Sequence, residues 1–172
     1  VPATKKVLPQ TSQQWDFAFV KSLPKTQTEL SFEVYYKTMK QVTEYKPDVI
    51  VVFDFEKNWE EQVTQGIGNS LGVEVLVHKK AGRLNGWIGY TLSQATRQFD
   101  LINNSEVFPY KYDRRHDVSL VLNYRLSSRL KSNIVWVYGT GNAVTLPESV
   151  FEDLMDIGKI NAHRLDASHR LD

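Results

Sequence analysis

The chain has 172 residues, with 21 Lys and Arg against 20 Asp and Glu and a formal net charge of +1. It carries no polyanion-sized basic field, which disfavours a nucleic-acid partner; it has no cysteine, which excludes a disulfide framework, a thiolate metal site and a thiol nucleophile. No apolar run approaches the roughly 18–20 residues of a membrane helix, a criterion silent about barrels, whose strands alternate and look polar on average.

Residues 1–13 are polar, with prolines at 2 and 9, and read as loop. Alternation then predicts a strand over 14–23, with Trp15, Phe17 and Phe19 on one face and Asp16, Ala18 and Ser22 on the other. The polar, proline-led stretch 24–27 suits a turn. From Glu29 a second strand sets Leu30, Phe32, Val34 and Tyr36 against Glu29, Ser31, Glu33, Tyr35 and Lys37. Residues 45–65 read as a long connection. Inside it the continuous apolar run 49–53 breaks the alternation in the manner of a strand buried on both faces, and Asp54 and Glu56 follow it.

A third strand is expected from about Ser70 to Lys80, with Leu71, Val73, Val75 and Val77 facing one way and Gly72, Glu74, Leu76 and His78 the other. Residues 81–86 hold Gly82, Asn85 and Gly86, which tolerate positive φ and mark a turn. A fourth strand spans 87–98, then about seventeen residues of loop contain Asn103-Asn104-Ser105 and Pro109. The cleanest hairpin comes next. Val118, Leu120, Leu122, Tyr124 and Leu126 alternate with polar neighbours, a polar connector spans 127–131, and Ile134, Trp136 and Tyr138 resume the pattern. Beyond Gly139 the spacing of Val150, Phe151, Leu154 and Ile157, after Pro147 and Glu148 and before Gly158, predicts a short amphipathic helix over 147–157.

Connection lengths alternate: 24–28 short, 45–65 long, 81–86 short, 99–115 long, 127–131 short, 139–168 long. Outer-membrane barrels put tight turns at one end and long loops at the other. Strands of at least about 9–11 residues are long enough to cross the hydrocarbon at a tilt. Trp15, Tyr36, Trp87, Tyr110, Tyr112 and Tyr138 sit near strand ends, where an interfacial girdle is expected. The fold expectation is therefore all-β: an antiparallel up-and-down meander of about six strands, part of a large transmembrane β-barrel. A soluble β-sandwich with one face in its core remains the alternative.

The stretches YDRRHDVSLVLNYRL, VWVYGTGNAVTLP and GWIGYTLSQATRQF, with GNSLGVEVLVHKKAGRLNGW and the near-terminal NAHRLDASHRLD, resemble the late barrel strands of TonB-dependent outer-membrane receptors of Gram-negative bacteria. The likeness covers most of 11–146 and the last dozen residues. It implies a barrel of about twenty-two strands closed by an N-terminal plug. Such receptors import a scarce ligand (an iron chelate, cobalamin or, in the SusC-like branch, a glycan) with energy passed from the inner membrane through TonB. By analogy, 112–117 marks the outer rim of a strand and His169-Arg170-Leu171-Asp172 starts the next one. The implied partners are outer-membrane lipid, the TonB complex acting through a plug, and the ligand; no enzymatic chemistry and no cofactor are implied. With no signal peptide, plug, TonB box or terminal aromatic, and with six strands where closure takes at least eight, residues 1–172 read as a partial barrel domain, an internal fragment.

Candidate lumen-facing residues are Glu33, Lys37, Glu74, Asp117 and Asn123; candidate lipid-facing ones are Phe32, Val34, Val75, Leu120, Leu122 and Trp136. Asp113, Arg114, Arg115, His116 and Asp117 read as an ion-pair and hydrogen-bond cluster fixing the strand rim, in preference to ligand contact. His78, His116, His163 and His169 lack the i, i+4 spacing of a helical zinc motif, so no metal site is assigned. Gly139-Thr140-Gly141-Asn142 lacks the Lys-Ser/Thr of a phosphate loop and reads as a glycine turn at a strand exit. Two soluble alternatives stay open. One is a carbohydrate-binding sandwich using Trp15, Trp87 or Trp136 on one exposed face; the other is an α/β enzyme using Asp54 as acid/base or magnesium ligand.

Overall fold

The computed structural model describes residues 3–46, 58–151 and 154–172 and, over 148–157, the backbone alone. The elements in order are β1 (Thr11–Leu23), β2 (Thr28–Tyr45), α1 (Trp59–Gln62), β3 (Val63–Lys79), β4 (Leu84–Phe99), β5 (Phe108–Pro109), β6 (His116–Arg125), β7 (Lys131–Gly139), β8 (Ala143–Val144), β9 (Pro147–Phe151), β10 (Leu154–Ile157), β11 (His163–Arg164) and β12 (Ser168–Leu171). One sheet dominates, in the order β1-β2-β3-β4-β6-β7-β12, with β5 on β4. Every pairing in it is antiparallel. The chain is thus an all-β meander, as its alternation implies, and β12 adds a seventh strand to the path where the residues after 168 start a new one.

Local chemistry closes the three tight turns. In the first, the Thr26 and Gln27 amides donate to the carbonyls of Leu23 and Pro24, each at 3.2 Å, and Gln27 takes a positive φ of 50°. In the second, Gly82 has φ 112°, a conformation that side chains with a Cβ rarely adopt. In the third, the Ser127 hydroxyl accepts from the Arg129 and Leu130 amides at 3.2 and 3.1 Å, a side-chain substitute for a backbone turn bond. These turns share one end of the sheet; at the other end β2, β4 and β7 give way to the long connections and β3, β6 and β12 begin.

Strands β2, β3 and β4 outrun the alternation that announced them. Toward the long-loop end Met39, Val42, Ile67 and Phe99 stand among polar residues and the period of two is lost; β3 there begins at Val63, ahead of the expected Ser70. The connection expected over 45–65 is correspondingly shorter at both margins, and the apolar run 49–53 with Asp54 and Glu56 lies outside the described residues. The helix expected over 147–157 is a correction. The segment pairs with itself instead, Phe151 opposite Leu154 and Val150 opposite Met155, consistent with the strand preference of Val150, Phe151 and Ile157.

The packed core sits at the long-loop end. Met39, Val42, Phe99, Ile102 and Phe108 are buried together, with Ile160 packed against them. A bulge makes this possible. Gln41, at φ 53°, is the extra residue between Lys40 and Val42, so Met39 and Val42 fall on the same face although three apart. Phe99 lies where a Cβ on Gly66, its partner on β3, would come within 2.5 Å of its ring. Asn103 ties the loops over this core: its amide donates to the Ile160 carbonyl at 2.9 Å and its oxygen accepts from the Ile160 amide at 2.8 Å.

Candidate functional site

Directly opposed Cα partners in a sheet share a face, so register decides whether separate alternations add up to one surface. Here they do. Phe19 opposes Phe32, Phe32 opposes Val75, Val75 opposes Tyr90, Tyr90 opposes Val118 and Val118 opposes Tyr138. Nearer the short turns, Leu30, Val77, Ile88, Leu120, Trp136 and Leu171 form a parallel row. All six lipid-facing candidates therefore stand on one face. Among the described residues no layer covers it: Trp15, Phe17 and Phe19 are 56%, 67% and 56% exposed.

The five lumen-facing candidates stand on the opposite face. One transverse row reads Ala18, Glu33, Glu74, Thr91, Asp117 and Gly139, and Lys37 and Asn123 lie an even number of residues from Glu33 and Asp117. This face is mixed, holding Val121, Val135 and Leu76 as well. Tyr35 lies over Gly72, where an added Cβ would meet its ring at 2.6 Å.

The apolar face is a bounded belt. At its upper margin Trp15, Tyr36 and Leu71 are row partners, and the Trp15 and Tyr36 rings stack at 6.0 Å. The next row toward the long loops is Gln13, Thr38, Asn69 and Thr96, all amides and hydroxyls.

The margin also moves from strand to strand. Opposite Leu71, β4 carries Gln94, and its apolar stripe begins at Leu92. Opposite Leu92, β6 carries His116, and its stripe begins at Val118, level with Tyr138 on β7. The lower margin follows, from Leu30 and Val77 on β2 and β3 to Leu84 on β4 and its partner Tyr124 on β6. The upper margin thus falls four residues over the five steps from β1 to β7, all of it between β3 and β6. That averages about 2.6 Å along for each 4.8 Å across and puts the belt about 30° off the perpendicular to the strands.

Just above the belt lies the rim cluster, organised by Asp113, which is 1% exposed. Its carboxylate accepts the Ala95 amide at 2.5 Å and the Arg164 guanidinium, which also donates to the Asp113 carbonyl at 2.8 Å. Arg115 stands 3.9 Å away, and Arg114 pairs with Asp117 at 3.0 Å. The His116 amide donates to the Thr140 hydroxyl at 3.0 Å, and the His116 ring contacts the Tyr90 hydroxyl at 2.9 Å. The Ser93 hydroxyl donates to the Arg114 carbonyl at 2.8 Å. The arrangement clamps the start of β6 to β4, to the exit of β7 and to β11.

Arg164, Thr140 and Ser93 are members that the sequence did not point to. They lie 51, 24 and 21 residues from their partners, and no local pattern marks them. Gly141 abuts β11's exit, where an added Cβ would strike the Leu165 carbonyl. Above the belt, half-buried Arg97 lies 4.2 Å from the Tyr110 ring; burial pulls its pKa below the ordinary arginine range, and Tyr110 opposes the shift.

The other candidates are dispersed. Trp15 and Trp136 share the apolar face but stand on β1 and β7, with four strands between them. Trp87, opposite His78 and Val121, is on the other face and so is no part of the belt's girdle. Among the described residues no three His, Asp or Glu side chains converge to hold a metal ion. No protein-family model, curated protein or solved structure matches the chain.

Proposed function

We propose that this chain is a membrane-spanning segment of an outer-membrane β-barrel receptor of the TonB-dependent type. Such a receptor takes up a scarce ligand, an iron chelate, cobalamin or a glycan, with energy delivered from the inner membrane. The slanted belt is the observation that carries the membrane part. Both margins fall in the same direction between β3 and β6, as a flat hydrocarbon slab crossing tilted strands requires; a protein layer packed along the rows gives no reason for it. The mean slant of about 30° is near the roughly 35–45° strand tilt of such barrels. The receptor type is supported by the resemblance of the strand and rim stretches quoted above. Closure requires further strands against the free edges of β1 and β12, since open edges are not tolerated in lipid.

On this reading the rim cluster positions the strand at the water boundary and takes no part in chemistry. The carbohydrate-binding alternative gains nothing from three tryptophans divided between two faces. Single-tryptophan variants of the closed barrel that contains this chain, folded into vesicles with brominated acyl chains, test the proposal. Trp136 should be quenched most by deep bromines and Trp15 by shallow ones, while Trp87 should stay unquenched. A water-soluble monomer, or quenching of Trp87 alone, overturns it.

A further inference from the structure

The two margins of the belt differ chemically. Over β1 to β4 the upper one meets neutral amides and hydroxyls, and at β6 its cations Arg114, Arg115 and Arg164 each stand against Asp113 or Asp117, whereas the lower one meets cations. Lys21 and Lys79 lie on the apolar face itself, in the rows of Leu30 and Thr28. Lys25, Lys80, Arg83 and Arg129 are exposed in the turns below it. The only acid in 21–30, 77–86 and 124–131 is Glu29, already paired with Lys80 at 2.7 Å. Among the described residues none of the other five cations has a carboxylate within ion-pair distance. The chain as a whole carries only +1, so this is an asymmetry of placement rather than general basicity.

We infer that the short-turn end of the sheet is a docking surface for the anionic phosphodiester headgroups of the phospholipid leaflet that it meets. The inference rests on the belt facing lipid. The chemistry is that of a polybasic collar at a membrane boundary: long alkyl stems lie along apolar surface while the charged ends reach the headgroup layer. Arg83 shows such a disposition, its guanidinium 5.8 Å from the ring of Tyr124 at the belt's lower margin and its nitrogen bonded to the Leu126 carbonyl at 3.2 Å. At the opposite margin neutral hydrogen-bonding residues and arginines already paired with Asp113 and Asp117 give no comparable attraction for anions.

The test folds the closed barrel that contains this chain onto vesicles of phosphatidylcholine alone or of phosphatidylcholine mixed with phosphatidylglycerol, and measures co-flotation at low and high salt. Mixed vesicles should bind at least about tenfold more tightly at low salt, and the preference should fade at high salt. Replacing Lys21, Lys25, Arg83 and Arg129 together by Gln should abolish the preference and leave binding to phosphatidylcholine unchanged. Replacing Lys40 and Lys111, at the long-loop end, should leave both unchanged. Equal binding to the two vesicles, or equal loss from the two sets of substitutions, overturns the docking surface while the belt survives. Binding to mixed vesicles alone keeps the surface and sinks the belt, and binding to neither sinks both. A preference for an acidic peptide over the mixed vesicles would reassign the collar to a protein partner and overturn the lipid assignment.

Discussion

The two halves of β2 live in different surroundings. From Leu30 to Tyr36 its apolar residues look out from a face on which no described residue packs; from Met39 to Val42 a bulge turns two successive apolar residues into a buried core. The long-loop half carries its own apolar interior, five buried side chains under tied loops. Among the described residues the short-turn half has none, yet Trp15, Phe17, Phe19, Phe32 and Val34 stand exposed together on one of its faces, and a contiguous exposed apolar patch marks an interaction site. The strands are continuous across the boundary, so the lower half must find its apolar phase elsewhere. Hydrocarbon would supply it, and the slanted margin gives that phase the geometry of a slab.

The sharpest way to break this contrast is a charge at the belt's centre. On β6 the stripe runs from Val118 to Leu126, so Leu122 lies at mid-depth. In the bilayer-folded protein Leu122→Arg should cost about 2–4 kcal/mol, and Asn123→Arg, on the opposite face, well under that. Urea unfolding from vesicles measures both. Equal costs would mean that the two faces meet the same medium.

A second pair separates membrane depth from position in the sheet. Phe32 and Val118 occupy one hydrogen-bonded row through Val75 and Tyr90. The slant nevertheless places Phe32 near mid-depth on β2 and Val118 at the upper margin on β6. Phe32→Arg should therefore cost about 2–4 kcal/mol and Val118→Arg about 0–1. A protein layer lying along the rows would make the two costs alike.

The upper half should respond to different chemistry. Asp113→Ala removes the acceptor for the Ala95 amide and for Arg164 and should cost about 2–3 kcal/mol in denaturant unfolding. Arg164 is 35% exposed at its side chain, so Arg164→Ala should cost less, about 1 kcal/mol. Protection of the Ala95 amide from hydrogen exchange should fall in the first variant, with the Leu122 region unaffected. Simultaneous loss of protection in both halves would show that they are one cooperative unit.

This division also explains what could be read in advance. The belt was legible because a period of two survives wherever one face meets an apolar medium: Phe32, Val75, Leu120 and Trp136 could be assigned to one side strand by strand. Register, which turns those separate stripes into one surface with a slope, is a long-range property and left no local mark. Above Tyr36 and Leu71 the period of two is lost, so the start of β3, from Val63 to Asn69, carries no strand signature. The rim was half legible. Asp113 to Asp117 stood out as a charge cluster, but its organiser is a buried carboxylate held by Arg164 across 51 residues. The hairpin over 147–157 was misread because four apolar residues at helical spacing fit either structure in so short a segment.

The smallest expected effect concerns the polar face. Glu33 and Glu74 are direct cross-strand partners, and like charges set opposite one another destabilise a sheet by a few tenths of a kcal/mol to about 1. Glu33→Gln should therefore stabilise the folded protein by about that amount at neutral pH, with the gain shrinking in high salt. If this face lines a water-filled lumen, the salt dependence persists in the vesicle-folded protein, because mobile ions reach the pair. A gain indifferent to salt would mean that the carboxylates are sealed from water. The face opposite the belt would then be packed rather than open, and the barrel would lose its lumen at this level.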